Sequence, residues 1–224
     1  MIADPQSGDV TERGSELTTR EFAPLVLTDP SAMQSESIRG LRTRLIAQHV
    51  REGRRALTLC TPSAGTGCTF VATNLAVAMA QIGIKTALID ADLRTPGVAA
   101  AFGLPEDQPG LSDCLAGDND GIWTGVASDL TVMTAGRPAS NPQELLSSER
   151  FPALVKQLLR EFELTIFDTT PANRCTDAQR VATVVGYSMI VARKHKSFFS
   201  DVSTLAKMLR ADRSKIVGTI LNEY

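Results

Sequence analysis

Aromatic side chains are scarce in this 224-residue sequence, at 5% with one Trp and two Tyr. The core must therefore be filled by aliphatic residues, within an ordinary 43% hydrophobic and 21% charged composition. Neither charge dominates. A net charge of −2 argues against nucleic acid as the main partner, and basic spots such as Arg39–Arg44 and Arg51–Arg55 read as solvated helix faces. Cys60, Cys68, Cys114 and Cys175 show neither C-x-x-C spacing nor a secreted framework, which fits a reducing compartment. His49 and His195 stand too far apart to indicate a metal site. No apolar run approaches the roughly 18 residues of a membrane span, so membrane association has to come through a partner. The segment from Met1 to Glu21 has neither a basic start nor an apolar centre, so it is no signal peptide. Residues 1–22 are expected to form a disordered arm. No linker divides the rest, so 23–224 is expected to be a single domain.

The most telling absence is one lysine. From Ala56 to Phe70 the sequence is Ala-Leu-Thr-Leu-Cys-Thr-Pro-Ser-Ala-Gly-Thr-Gly-Cys-Thr-Phe, a β-prone run leading into a glycine turn. The amphipathic run Val71–Gln81 that follows predicts a helix. Strand, loop and helix in this order form the setting in which backbone N–H groups and a helix N-terminus cradle phosphate. The pattern G-x-x-x-x-G-K-[ST] needs glycine for close approach, lysine for the β/γ-phosphates and a hydroxyl for Mg²⁺. Gly65, Gly67 and Thr69 meet it, but Pro62 replaces the first glycine and Cys68 replaces the lysine. By itself a Gly-x-Gly after a strand can be an ordinary turn.

Two further segments add weight. Thr86–Pro96 is an apolar strand ending in Asp90 and Asp92, and Glu163–Pro171 is another ending in Asp168. Near-continuous apolar runs mark parallel strands buried on both faces. Ligands of such sheets bind outside the carboxyl ends of the strands. Each aspartate alone reads equally well as a cap or turn residue. Three of them on the edge that carries the Gly65–Thr69 loop match the carboxylate supply of a Mg²⁺–phosphate site.

Helical spacing runs over Ser31–Arg51, with Ile38, Leu41, Leu45 and Ile46 on one face. Strands are predicted near 56–61, 85–91, 130–135, 163–168, 187–193 and 215–221. Helices are predicted near 69–82, 111–117, 142–161, 176–185 and 198–210. This alternation predicts an α/β fold, P-loop NTPase-like, with a mostly parallel sheet and helices on both faces.

With these segments in place, the sequence resembles the cytoplasmic domain of bacterial tyrosine kinases (BY-kinases) of capsule and exopolysaccharide assembly, from about Leu25 to Tyr224. Glu36-Ser-Ile-Arg-Gly-Leu-Arg42 is similar to the family's E-x-x-R-x-x-R oligomerisation motif. Leu88–Arg94 resembles its second acidic nucleotide motif, and Ile166-Phe-Asp168 its Walker B strand. Gly110–Gly117, Asn141–Ser148 and Val217–Asn222 also look like family segments. The resemblance implies Mg-ATP or Mg-ADP on the backbone of Gly65, Thr66, Gly67, Cys68 and Thr69, with Asn222 near the adenine. It implies that Thr69, Asp90 and Asp168 serve the metal, and that Asp90, Asp92 and Asp168 are the catalytic carboxylates. It implies a homo-oligomer assembled through Glu36, Arg39 and Arg42. It also implies a separate membrane-embedded chain-length-determining partner, and a cytoplasmic protein peripheral at the inner membrane through that partner.

Departures from the family pattern bear on activity. Cys68 removes the phosphate lysine. The family's C-terminal tyrosine cluster is reduced to Tyr224, the one possible phosphosite, because Tyr187 falls in a predicted strand and reads as core. Gly186-Tyr187 stands where the family often has Asp-Gly, and Ser63 where partitioning ATPases carry a signature lysine. A charge-assisted hydrogen bond contributes about 1.5–3 kcal/mol, and losing one in a transition state slows chemistry by about 10²–10³-fold. Three readings stay open: an ATP-binding protein with weak or no turnover, an active tyrosine autokinase or ATPase using another cation (Arg94 or Arg174), and a partitioning-type ATPase switch. A lysine-free nest also raises the expectation that Cys68 is a reactive thiol, against the buried, inert role of most free cysteines.

Overall fold

The computed structural model describes residues 23–118 and 121–223. The arm expected at 1–22 and the phosphosite Tyr224 lie outside the described residues. Seven strands, β1 (Ala56–Cys60), β2 (Thr86–Asp90), β3 (Thr124–Ala127), β4 (Leu130–Met133), β5 (Leu164–Asp168), β6 (Tyr187–Arg193) and β7 (Lys215–Asn222), form one sheet. Their order is β3-β4-β2-β5-β1-β6-β7. Every pairing is parallel except β3 with β4. All five residues of each of β1, β2 and β5 are buried, as two-sided coverage demands.

Helices α1 (Leu25–Thr28), α2 (Met33–Gln48) and α3 (Cys68–Ala80) pack on one face. There Leu57, Leu59, Leu88 and Ile166 meet Leu75 and Met79. The short α4 (Val98–Phe102) joins them through Val98. The opposite face carries α5 (Leu111–Ala116), α6 (Pro142–Ser147), α7 (Arg150–Glu161), α8 (Asp177–Val185) and α9 (Phe199–Ala211). Neighbouring strand residues such as Leu88 and Ile89 serve opposite clusters, which is why the alternation of strand side chains is hidden in a continuous apolar run.

The helix expected over 142–161 is broken. Pro152 has no N–H to offer the carbonyl of residue 148, and its ring opposes a continuous helix there. Ser148 turns extended, its hydroxyl donates to Leu145 O at 2.8 Å, and α7 restarts at Arg150. The amphipathic reading of 71–81 also gives way, because α3 is buried on nearly all sides. Thr73 and Asn74 tolerate this by donating to the carbonyls of Thr69 and Phe70, and Asn74 Oδ1 accepts the N–H of Val26 at 2.9 Å. Among the described residues no helix is long and apolar enough to cross a membrane.

Candidate functional site

The turn between β1 and α3 is a glycine-dependent loop held from three sides. Gly65 and Gly67 take φ of 72° and 83°, a left-handed conformation that L side chains resist. Thr61 and Thr66 share a hydroxyl–hydroxyl bond of 2.6 Å inside the loop. Asn222, at the end of β7, donates its amide to Thr66 O at 2.9 Å, and Arg193, at the end of β6, donates to Gly65 O at 3.0 Å. Pro62 O accepts the N–H of Asn173 at 3.1 Å. The backbone of the loop at the N-terminus of α3 is thus fixed by neighbours.

Beneath it lie the carboxylates. Asp90 and Asp168 end adjacent strands in register, and both are buried. Thr69 Oγ1 donates to Asp168 Oδ2 at 2.5 Å, while Asp168 Oδ1 is buried with no hydrogen-bond partner. Asp90 accepts the N–H groups of Asp92 (3.1 Å), Gly97 and Val98 (3.0 Å each). Burial, and then repulsion from Asp168, pushes the Asp90 carboxyl up to about 8. Burial pushes Asp168 up to about 6, opposed by hydrogen bonds from Thr69 and Cys68. Two buried carboxyls side by side, one with an orphaned oxygen, suit a cation. Among the described residues no three His, Cys, Asp or Glu side chains cage a metal by themselves. Mg²⁺ at phosphates needs only one or two protein carboxylates, the phosphates supplying the rest.

Asp92 is occupied differently. Its Oδ1 accepts from Arg94 N (3.1 Å), Thr95 N (2.9 Å) and Thr170 Oγ1 (2.7 Å), and its Oδ2 from Thr95 Oγ1 (2.9 Å). These bonds tie the loop after β2 to the loop after β5, and so make Asp92 a brace for Asp90 and Asp168.

Cys68 opens α3 with its side chain turned inward, buried against the core. Burial, with the Asp168 charge adding to it, drives its thiol well above the ordinary value. The reactive-thiol expectation is therefore corrected, because desolvation outweighs the helix N-terminus. Of the two arginines considered as replacements for the lysine, Arg94 is committed elsewhere, donating from Nε to Asp177 Oδ2 at 2.7 Å. Arg174 lies in the exposed turn after β5. The cations that do meet the loop are Arg193, at the end of β6, and Lys196, in the turn between β6 and α9. Sequence reasoning overlooked them, although the basic run Arg193-Lys194-His195-Lys196 directly after an apolar strand places them on the loop's edge of the sheet.

Glu36 and Arg39 pair within α2 at 3.1 Å, and Arg42 donates to Ala78 O of α3 at 3.0 Å. In the single chain the three motif residues thus have intramolecular partners. Tyr187 is half-buried, with its ring edge-to-face on His49 at 5.0 Å and the Arg54 guanidinium 5.4 Å from its centre.

A model of the CobQ/CobB/MinD/ParA nucleotide binding domain matches residues 57–224. The chain belongs to this family. Its relatives include the putative tyrosine-protein kinase CapB of Staphylococcus aureus, 31% identical over 206 residues and covering 90% of each chain. The kinase domain of the Escherichia coli tyrosine kinase ETK superposes with a TM-score of 0.84 at 30% identity, over 91% of this chain and 81% of that one. The septum site-determining protein MinD from Pyrococcus horikoshii, complexed with Mg-ADP, shares the fold at a TM-score of 0.65 and 24% identity, over 76% and 70% of the two chains. The architecture is that of a P-loop NTPase.

Proposed function

We propose that this chain is a BY-kinase-like Mg-nucleotide-binding protein of capsule or exopolysaccharide biosynthesis, whose phosphoryl transfer is weakened by Cys68. The observation that carries the reading is the pairing of Thr69 with Asp168 beneath a glycine-opened loop, with a buried carboxylate oxygen left over. The loop's N–H groups and the α3 N-terminus would bind the di- or triphosphate. Thr69 and Asp168, with Asp90 beside them, would hold Mg²⁺, whose chemistry is to neutralise charge on the transferred phosphoryl group. Asn222 would reach the base from the end of β7. Arg39, Arg42 and Glu36 would exchange their internal partners for those of a neighbouring copy. A separate membrane-embedded chain-length determinant would bring the protein to the inner membrane.

Calorimetry with Mg-ADP and Mg-ATP tests this. Binding is expected at micromolar to millimolar concentration, lost on omission of Mg²⁺ or in Asp168→Ala. Absence of binding at millimolar nucleotide, or equal affinity in Asp168→Ala, would overturn it. The capsule role is tested separately by deleting the chain in its host, with loss or altered length of the surface polysaccharide as the expected outcome.

A further inference from the structure

Position 68 takes the lysine away from the loop, yet the loop does not lack a cation beside it. The turn after β6 is folded tightly: Lys196 N and Ser197 N both donate to Arg193 O, and Ser197 Oγ accepts from Arg193 N at 3.0 Å. His195 adopts φ 60° at the tip of this turn, an uncommon conformation for a residue other than glycine. The outcome is that Arg193 and Lys196 both come back over the β1–α3 loop. The Arg193 guanidinium is spent on Gly65 O. The Lys196 ammonium lies against Gly65 on the side where any other residue would carry its Cβ, so a side chain at 65 would collide with it. Among the described residues no carboxylate pairs with Lys196. Its neighbour Lys194, by contrast, is paired with Glu223 at 3.2 Å.

We propose that Lys196 supplies, from the β6–α9 turn, the cation that contacts the phosphates of a nucleoside di- or triphosphate in the loop. This rests on the nucleotide reading above. A lysine ammonium is a point charge on a flexible four-carbon stem, so an exposed lysine anchored at its backbone can swing from Gly65 to the loop's mouth. Phosphate, unlike the surrounding groups, gives it an anionic partner. The neighbouring groups that share the loop, Arg193 and Asn222, donate to its backbone carbonyls at Gly65 and Thr66. The charge would thus have moved from the first turn of α3 to a turn across the sheet edge, while the loop kept its glycine geometry. Because this lysine sits on the solvent side, it orients the phosphates with less desolvation than a lysine rising from position 68. Binding is therefore better preserved than turnover.

Titration of the full chain with Mg-ATP, Mg-ADP and AMP distinguishes the outcomes. Lys196→Ala should weaken Mg-ATP and Mg-ADP by about tenfold and leave AMP, which lacks the distal phosphates, nearly unchanged. Lys194→Ala should stay within about twofold of the parent, since its ammonium is already paired. Cys68→Lys in the Lys196→Ala background should restore the lost affinity. If the parent binds Mg-ATP and Lys196→Ala binds it equally well, the role of Lys196 is overturned while the nucleotide site stands. If the parent binds neither Mg-nucleotide, both fall.

Discussion

Asp90 and Asp168 face each other across the β2–β5 ladder, in register at the carboxyl ends of adjacent strands. Burial raises both carboxyls above the ordinary 3.8, with repulsion from Asp168 adding to it at Asp90 and repulsion from Asp92 at Asp168. Folded protein therefore holds protons there that the unfolded chain has already released. That advantage is complete below 3.8 and disappears as pH climbs through about 6 and then about 8. The nucleotide-free protein should accordingly melt at progressively lower temperature from pH 5 to pH 8. Asp90→Asn should flatten the slope, and Mg-ADP should stabilise more at pH 8 than at pH 6. A melting temperature that rises across this range would contradict the pairing.

The cysteines give a second expectation. Cys60 and Cys68 are buried, and burial raises both thiols, whereas Cys114 and Cys175 are half-exposed. Ellman's reagent on the folded protein should label Cys114 and Cys175 first, with Cys68 reacting only at the rate of global unfolding. Mass mapping that finds Cys68 among the fast sites would refute the inward placement.

Two glycines should respond in opposite directions to alanine. Gly40 is exposed in the middle of α2, with open space where a Cβ would go, so Gly40→Ala should stabilise by about 0.5–1 kcal/mol. A Cβ at Gly110 would run into the backbone of Thr134 and Gly136, so Gly110→Ala should destabilise by about 1–3 kcal/mol. Urea midpoints of the two variants check both signs.

Self-association through α2 can be separated from the helix's internal role. Arg42→Ala removes the bond to Ala78 O and should lower monomer stability by about 0.5–1.5 kcal/mol. Arg39→Ala breaks the exposed pair with Glu36 and a bond to Pro30 O, and should cost about 0.5–1.5 kcal/mol. If these arginines also serve an interface, light scattering should show a mass above the monomer that grows with concentration and is lost in the double variant. A monomer at every concentration would leave the motif with its intramolecular role alone.

Six strands, α2, α3, α5, α8 and α9 were legible because apolar runs, helical spacing and glycine or proline boundaries all pointed the same way. The edge strand β3 was not, since Thr124-Gly-Val-Ala127 is short, contains glycine and is half-exposed along its length. Nor were α1 and α4, at four and five residues too brief to show a period. The break before α7 was written in Pro152 and missed. At the site, the loop and the aspartates followed from spacing and the strand-edge rule. The work of individual oxygens did not: that Asp92 reaches the second loop while Asp168 keeps a free oxygen depends on donors from Thr170 and Thr69, 78 and 99 positions away in the chain, separations no local pattern encodes. Lys196 was hidden for a related reason, because its partner lies 131 positions earlier in the chain.

Helix α3 has eleven of its thirteen residues buried, with consequences for how such a loop diverges. Packing that extends to the first turn makes the loop's shape a property of the core, specified by Leu75, Met79 and the strands beneath them rather than by any ligand-facing group. Its charge is a property of single side chains at the rim. Shape and charge are therefore inherited separately. A lineage can exchange one cation, relocate it or lose it in a single substitution, without passing through an unfolded intermediate.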